Sequence, residues 1–173
     1  MNGKVIAVVL VASGLIAGIA MYYLQVYGFY ETIEAGDDAF VQVTTVSTGE
    51  PEPILFENFK AIDADSSPIR YRACFDTSLS LALMTETYEL YDDAEPLTAP
   101  AWFDCFDAAE VGLALEEGRA LAFLGTFNVQ YGIDRIVAVT EDGKGFVWHQ
   151  INHCGEEVFD GKPPPEGCPP PPN

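Results

Sequence analysis

YGIDRIVAVTEDGKGFVWHQIN, residues 131–152, is the stretch on which the fold turns. Residues 131–140 and 146–152 are rich in β-branched and aromatic side chains, and between them EDGKG carries an Asp142-Gly143 pair, a strong short-range hairpin signal. Just upstream, RALAFLGT (119–126) predicts a further strand. A helix precedes that strand: Asp107 with Glu110 three residues on is a capping pattern, and Val111, Ala114 and Leu115 make an apolar side. Gly118 can end this helix in the left-handed conformation.

Farther back, IRYRACF (69–75) alternates, with Ile69, Tyr71, Ala73 and Phe75 on one face and Arg70, Arg72 and Cys74 on the other. This pattern predicts a half-buried strand. FVQVTTVS (40–47) has strand composition and is broken by GEPEP. Residues 78–91 leave helix and strand open: Leu79, Leu81 and Leu83 fall at strand spacing and TETYELY is strand-like in composition. Mostly strands with one well-signalled helix predict a small α+β domain, and no internal repeat appears.

The N-terminal end is of another kind. VIAVVLVASGLIAGIAMYYL, residues 5–24, is 20 residues without a charge. As a helix it would span about 30 Å, the thickness of a bilayer core. Tyr22, Tyr23, Tyr27, Phe29 and Tyr30 follow where an aromatic belt meets the headgroups. Lys4 precedes the span and the next base is Lys60, so the positive-inside rule puts the N-terminus in the cytoplasm. That predicts a membrane protein with everything after Leu24 outside; in a bacterium this is an inner-membrane anchor with its C-terminal domain in the periplasm. The competing reading is a cleaved signal peptide, with Gly18-Ile19-Ala20 as a crude processing site. Against it, the apolar run is long and continues in aromatic residues. Gly14 and Gly18 form a GxxxG step, a face on which a second membrane helix could pack. The predicted organisation is an anchor with its aromatic belt (1–30), a polar linker (31–39), an acidic domain (40–160) and a proline-rich tail (161–173).

The 173-residue chain has a net charge of -19, from 27 acidic residues against 8 Lys and Arg, and all the acids lie at or beyond Glu31. Such a surface repels phosphate backbones, so nucleic acid is not an expected partner. The 4 cysteines, in an exported domain, read as two disulfides. Three connectivities exist. Cys74 with Cys105 and Cys154 with Cys168 is favoured, since the second pair would pin the tail PPPEGCPPPPN to the domain. No CxxC is present to suggest a four-thiolate zinc site.

Within HQINHC (149–154) lie both histidines, His149 and His153, the weak metal candidates of this sequence. If the strand runs through both, they share a face roughly 13 Å apart, too wide for one ion. Only a strand ending before His153 could bring them together. The pairs Asp63 and Asp65, and Asp104 and Asp107, read as solvated acidic surface. IDADSS lacks the glycine and the downstream glutamate of an EF-hand loop. No GxSxG, phosphate-binding glycine loop, HExxH or CxxCH is present, so no catalytic residue and no cofactor is expected. Arg135, in phase with Tyr131, Ile133, Val137 and Val139, needs a carboxylate partner if buried. Arg70 and Arg72 are expected to be neutralised within so acidic a domain.

The segments MNGKVIAVVLVASGLIAGIAMYYLQVYGFY, IDADSSPIRYRACF, APAWFDCFDA and YGIDRIVAVTEDGKGFVWHQINHCG resemble a family of small, single-span alphaproteobacterial membrane proteins known only as a domain of unknown function. The resemblance supports the architecture and implies no activity. The functional expectation is a non-enzymatic accessory subunit of an inner-membrane complex, held in the bilayer through residues 5–24 and beside a membrane-protein partner. One version serves an electron-transfer complex, with the acidic domain attracting a basic soluble cytochrome c. The alternative is an assembly or metal-handling factor using His149, His153 and a reduced cysteine.

Overall fold

The computed structural model describes residues 2–34 and 41–172. An α-helix, α1 (Gly3–Tyr23), continues through one π-helical turn, Leu24–Gly28, so that the apolar stretch forms a single rod long and apolar enough to cross a membrane. Gly14 and Gly18 have open space beside them. Two residues beyond the rod, β1 (Glu31–Ile33) pairs antiparallel with β4 (Glu57–Asp63), setting Glu31 opposite Asp63. The first part of the expected linker is thus an edge strand of the domain. Residues 35–39, and Phe40 of the expected 40–47 strand, lie outside the described residues. What remains of that strand is β2 (Gln42–Thr44), paired in a short ribbon with β3 (Pro51–Pro53).

The main sheet has six antiparallel strands in the order β1-β4-β5-β8-β7-β6, where β5 is Arg72–Asp76, β6 Ala120–Gln130, β7 Ile133–Thr140 and β8 Lys144–Ile151. The β7–β8 hairpin turns where the Asp-Gly pair predicts, with Gly143 at φ 81°. Helix α3 (Ala108–Glu116) starts on the Asp107 side chain, which accepts hydrogen bonds from the Ala109 and Glu110 amides, and is followed by Gly118 at φ 70°. Residues 78–91 resolve into a helix, α2 (Leu81–Thr87), because Ser80 caps it and Met84 buries its inner side. Short bridges at Tyr88 and Leu90 follow.

The half-buried reading of IRYRACF is corrected: Tyr71 through Phe75 are all buried. Alternation is present, but each face has its own cover. Ala73 and Phe75, with Val137, Val139 and Val147, meet Val41, Val43, Ile54 and Met84 from the β2–β3 ribbon and α2. Cys74, with Ile136, Ala138 and Trp148, meets Phe103, Phe106 and Val111 from the 99–106 connection and α3. The domain is a three-layer α+β structure with a core on each side of the sheet. The disulfides join Cys74 to Cys105, fastening the 99–106 connection to the sheet, and Cys154 to Cys168, fastening the proline-rich tail to α4 (His153–Phe159).

Candidate functional site

Three places bring chemically capable groups together, and the first lies where the chain leaves α1. The first is the junction of rod and domain. The Trp102 indole donates to the Val26 carbonyl at 2.7 Å, stacks on Tyr27 with ring centroids 6.2 Å apart, and meets Tyr30 edge-on at 5.8 Å. Arg70 lies over the other partner, its guanidinium carbon 5.5 Å from the Tyr30 ring centroid. The aromatic residues expected as a headgroup belt therefore also clamp the domain to the rod. Rod and sheet are joined twice, through Trp102 and through β1.

The second place is a polar cavity of about 290 Å³ at the end of the sheet that Glu31 and Asp63 share, lined by Asp63, Asp65, Ser67, Gln130, Arg135 and His149 among others. Its floor follows from register: β7 sets Arg135 directly opposite His149 on β8. Arg135 Nε donates to His149 Nε2 at 3.0 Å, and His149 Nδ1 lies 2.7 Å from the Pro68 carbonyl. A carbonyl only accepts, so Nδ1 carries the proton and Nε2 holds the lone pair that accepts from Arg135; the imidazole is neutral in a single tautomer. Burial, and next the Arg135 charge, pull the His149 pKa down to about 4. Tyr71 packs beneath both, stacked 4.8 Å from the imidazole and 4.5 Å from the Arg135 guanidinium carbon. Its pKa is pushed up to about 12 by burial, and its buried hydroxyl has no hydrogen-bond partner. Asp63 is also raised, by burial, against the lowering effect of its bond from the Ala64 amide.

Arg135 is thus not half of a structural ion pair. The three ion pairs among the described residues are Arg119–Glu117, Lys144–Asp76 and Lys162–Glu157, all on the surface. The sequence asks for a carboxylate because a buried cation needs compensation; a neutral imidazole and a tyrosine face provide part of it, and Arg135 lines the cavity. The hairpin register would have revealed the pairing, since Thr140 and Lys144 flank the turn and counting back from them sets 135 against 149. Arg72, buried, likewise forms no ion pair among the described residues: it donates to the carbonyls of Leu97, Ile69, Tyr71 and Thr98 and lies over Phe106. Burial brings its pKa down to about 10.

The third place surrounds the tail disulfide. The strand expected to run through His153 ends at Ile151, and His153 opens α4, whose N-cap is Asn152 accepting from the Gly155 amide. The two histidines therefore occupy different sites and share no ligand set. His153 Nε2 instead lies 3.3 Å from Cys168 Sγ and 3.6 Å from Cys154 Sγ. Beside this corner the Asn152 side chain donates to Asn128 and to buried Asp134, whose pKa burial raises. Asp104 and Asp107 line a separate acidic groove of about 510 Å³ between α3 and the β7–β8 turn.

No curated protein and no solved structure matches the chain. A family model described as a family of unknown function does, over residues 41–169, which takes in every strand but β1 and both disulfides. The chain belongs to that family, DUF6446.

Proposed function

We propose that this protein is a non-catalytic accessory subunit of a bacterial inner-membrane complex, with α1 in the bilayer, its N-terminus cytoplasmic and its acidic domain in the periplasm. The observation that carries the reading is the double attachment of domain to rod, through the Trp102–Val26 hydrogen bond and through β1. A domain on a loose tether samples all orientations, whereas this one would present one set of faces to a neighbour in the membrane. The open Gly14 and Gly18 face gives such a neighbour a surface to approach. The net charge of -19 would favour a basic soluble partner, such as a cytochrome c serving the complex.

Purification of the tagged chain in mild detergent tests the first part: a reproducible membrane-protein partner is expected, and recovery of the chain alone rejects the subunit role. For the electron-transfer version, membranes lacking the protein should turn over a basic cytochrome c more slowly at low ionic strength. The difference should fade as the screening length falls below about 10 Å. Equal rates and equal salt dependence reject it.

A second reading, metal handling, is favoured by the His153, Cys154 and Cys168 ligand atoms, which all lie within 4.8 Å of one another. The disulfide must first be opened by a dithiol, which takes its place as a disulfide and leaves two thiols. Loss of their protons then gives a thiolate–thiolate–imidazole set suited to copper(I) or zinc. Reduced protein that retains either metal after dialysis, and loses it on His153→Ala, supports this reading; reduced protein that retains none rejects it.

A further inference from the structure

The cavity beside Arg135 is built for a ligand that carries both signs of charge. On one side is a guanidinium held by a hydrogen bond to His149 at Nε and by the face of Tyr71, and it forms no ion pair among the described residues. Asp63 and Asp65 line the same cavity. In a chain with 27 acidic residues, keeping Arg135 at a cavity without an ion-pair partner among the described residues leaves an oxyanion site. A simple anion would have to enter against the field of the domain and of the two aspartates. A zwitterion carries no net charge against that field, and its dipole can lie antiparallel to the one spanning the cavity.

Position narrows the ligand further. Asp63 is paired with Glu31, the first residue of the strand that follows the rod. Pro68, whose carbonyl orients His149, and Arg70, which lies over Tyr30, belong to the same connection between β4 and β5. The cavity therefore lies at the end of the sheet at which Glu31 enters β1. With α1 in a bilayer, the nearest abundant zwitterions are phospholipid headgroups.

We infer that this cavity binds the phosphoethanolamine headgroup of a membrane phospholipid, the phosphodiester oxygens accepting hydrogen bonds from the Arg135 guanidinium and the primary ammonium donating to Asp63 and Asp65. A guanidinium fork matches two phosphate oxygens, and a primary ammonium offers three N–H donors that the carboxylates can accept, whereas a choline headgroup offers none. The inference rests on the helix lying in a membrane and does not need the accessory role, so a chain that co-purifies with no partner leaves it standing.

The test uses the full chain in nanodiscs containing equal parts of ethanolamine, choline and glycerol phospholipids. Lipids retained after gentle release are weighed by native mass spectrometry. Ethanolamine phospholipid should be retained at least tenfold over the other two. Arg135→Gln should abolish the preference, and the isosteric pair Asp63→Asn, Asp65→Asn should reduce it at least fivefold, with thermal melts showing each variant folded. Should Arg135→Gln fail to fold, the asparagine pair, which keeps cavity size, decides alone. In parallel, glycerophosphoethanolamine, glycerophosphate and glycine are titrated into the protein in detergent. Weak saturable binding of the first alone agrees with the inference. Equal binding of glycerophosphate reveals a plain anion site, binding of glycine alone reveals a soluble amino-acid site, and absence of lipid preference reveals no headgroup site; each overturns it.

Discussion

His149 is held between two groups that impose opposite requirements on its ring nitrogens, and only the neutral imidazole meets both. Protonation would turn Nε2 into a donor facing the Arg135 donor and add a second positive charge beside the first. The folded pKa of about 4 lies below the ordinary value of 6.5, so the unfolded chain takes up the proton first as the pH falls. The associated stability is fully present above pH 6.5, declines between 6.5 and 4, and on the order of 3 kcal/mol is at stake. Asp63 and Asp134, raised by burial, act in the opposite sense above the ordinary carboxylate value, so the decline should be clearest at the upper end of this range. Denaturant titrations across this range should show the loss in the native chain, and His149→Gln, which can still donate to Pro68 and accept from Arg135, should flatten it. At this scale the sequence was partly legible. It marks Arg135 and both histidines as unusual, but it asks for a carboxylate beside a buried Arg135 and sets both histidines on one strand face. The true partners depend on a strand-to-strand register and on where β8 stops, and the latter is set by the Asn152 cap.

Among the elements, those with explicit end signals were readable. Asp107 and Gly118 bracket α3, and Gly143 sits in the β7–β8 turn. Helix α2 was not readable, because leucines at alternate positions satisfy a strand pattern and the decisive signal is Ser80, one residue among several polar ones. Alternation in β5 predicts one wet face; it does not reveal that the β2–β3 ribbon with α2 covers one side and the 99–106 connection with α3 the other. The docking of α4 was also hidden, and it depends on two glycines. A Cβ on Gly155 would collide with the Gly132 carbonyl oxygen, and Gly132, at φ 78°, accepts the Asn152 amide at the helix entrance. Gly155→Ala should therefore cost about 1–3 kcal/mol, as overpacking against immovable backbone does. Gly112, inside α3 with open space around it, provides the contrast: Gly112→Ala should stabilise by roughly 0.5–1 kcal/mol. Chemical denaturation of the two variants beside the native chain checks both signs.

For the whole molecule, composition foretold a long apolar helix followed by an acidic disulfide-bonded domain, and the structure has that form. Replacing Cys154 and Cys168 by serine should cost about 3 kcal/mol, the chain-entropy value for a loop of this size, and should free the tail from its Tyr131–Pro169 contact. Thermal melts and limited proteolysis of the tail measure the two effects. What the sequence could not convey is how rod and domain meet, since Trp102 stands 76 positions from Val26 and no local pattern links them.

That meeting has a consequence for any attempt to study the domain in soluble form. The family match begins at residue 41, after β1, so a chain cut there keeps both cores but loses the strand that covers β4. Its bare edge would offer unpaired backbone donors and acceptors to whatever extended peptide is nearest, and the nearest is another copy. Such a fragment should dimerise or aggregate with rising concentration. A synthetic peptide spanning residues 30–34, added in excess, should return it to a monomer by donor-strand complementation.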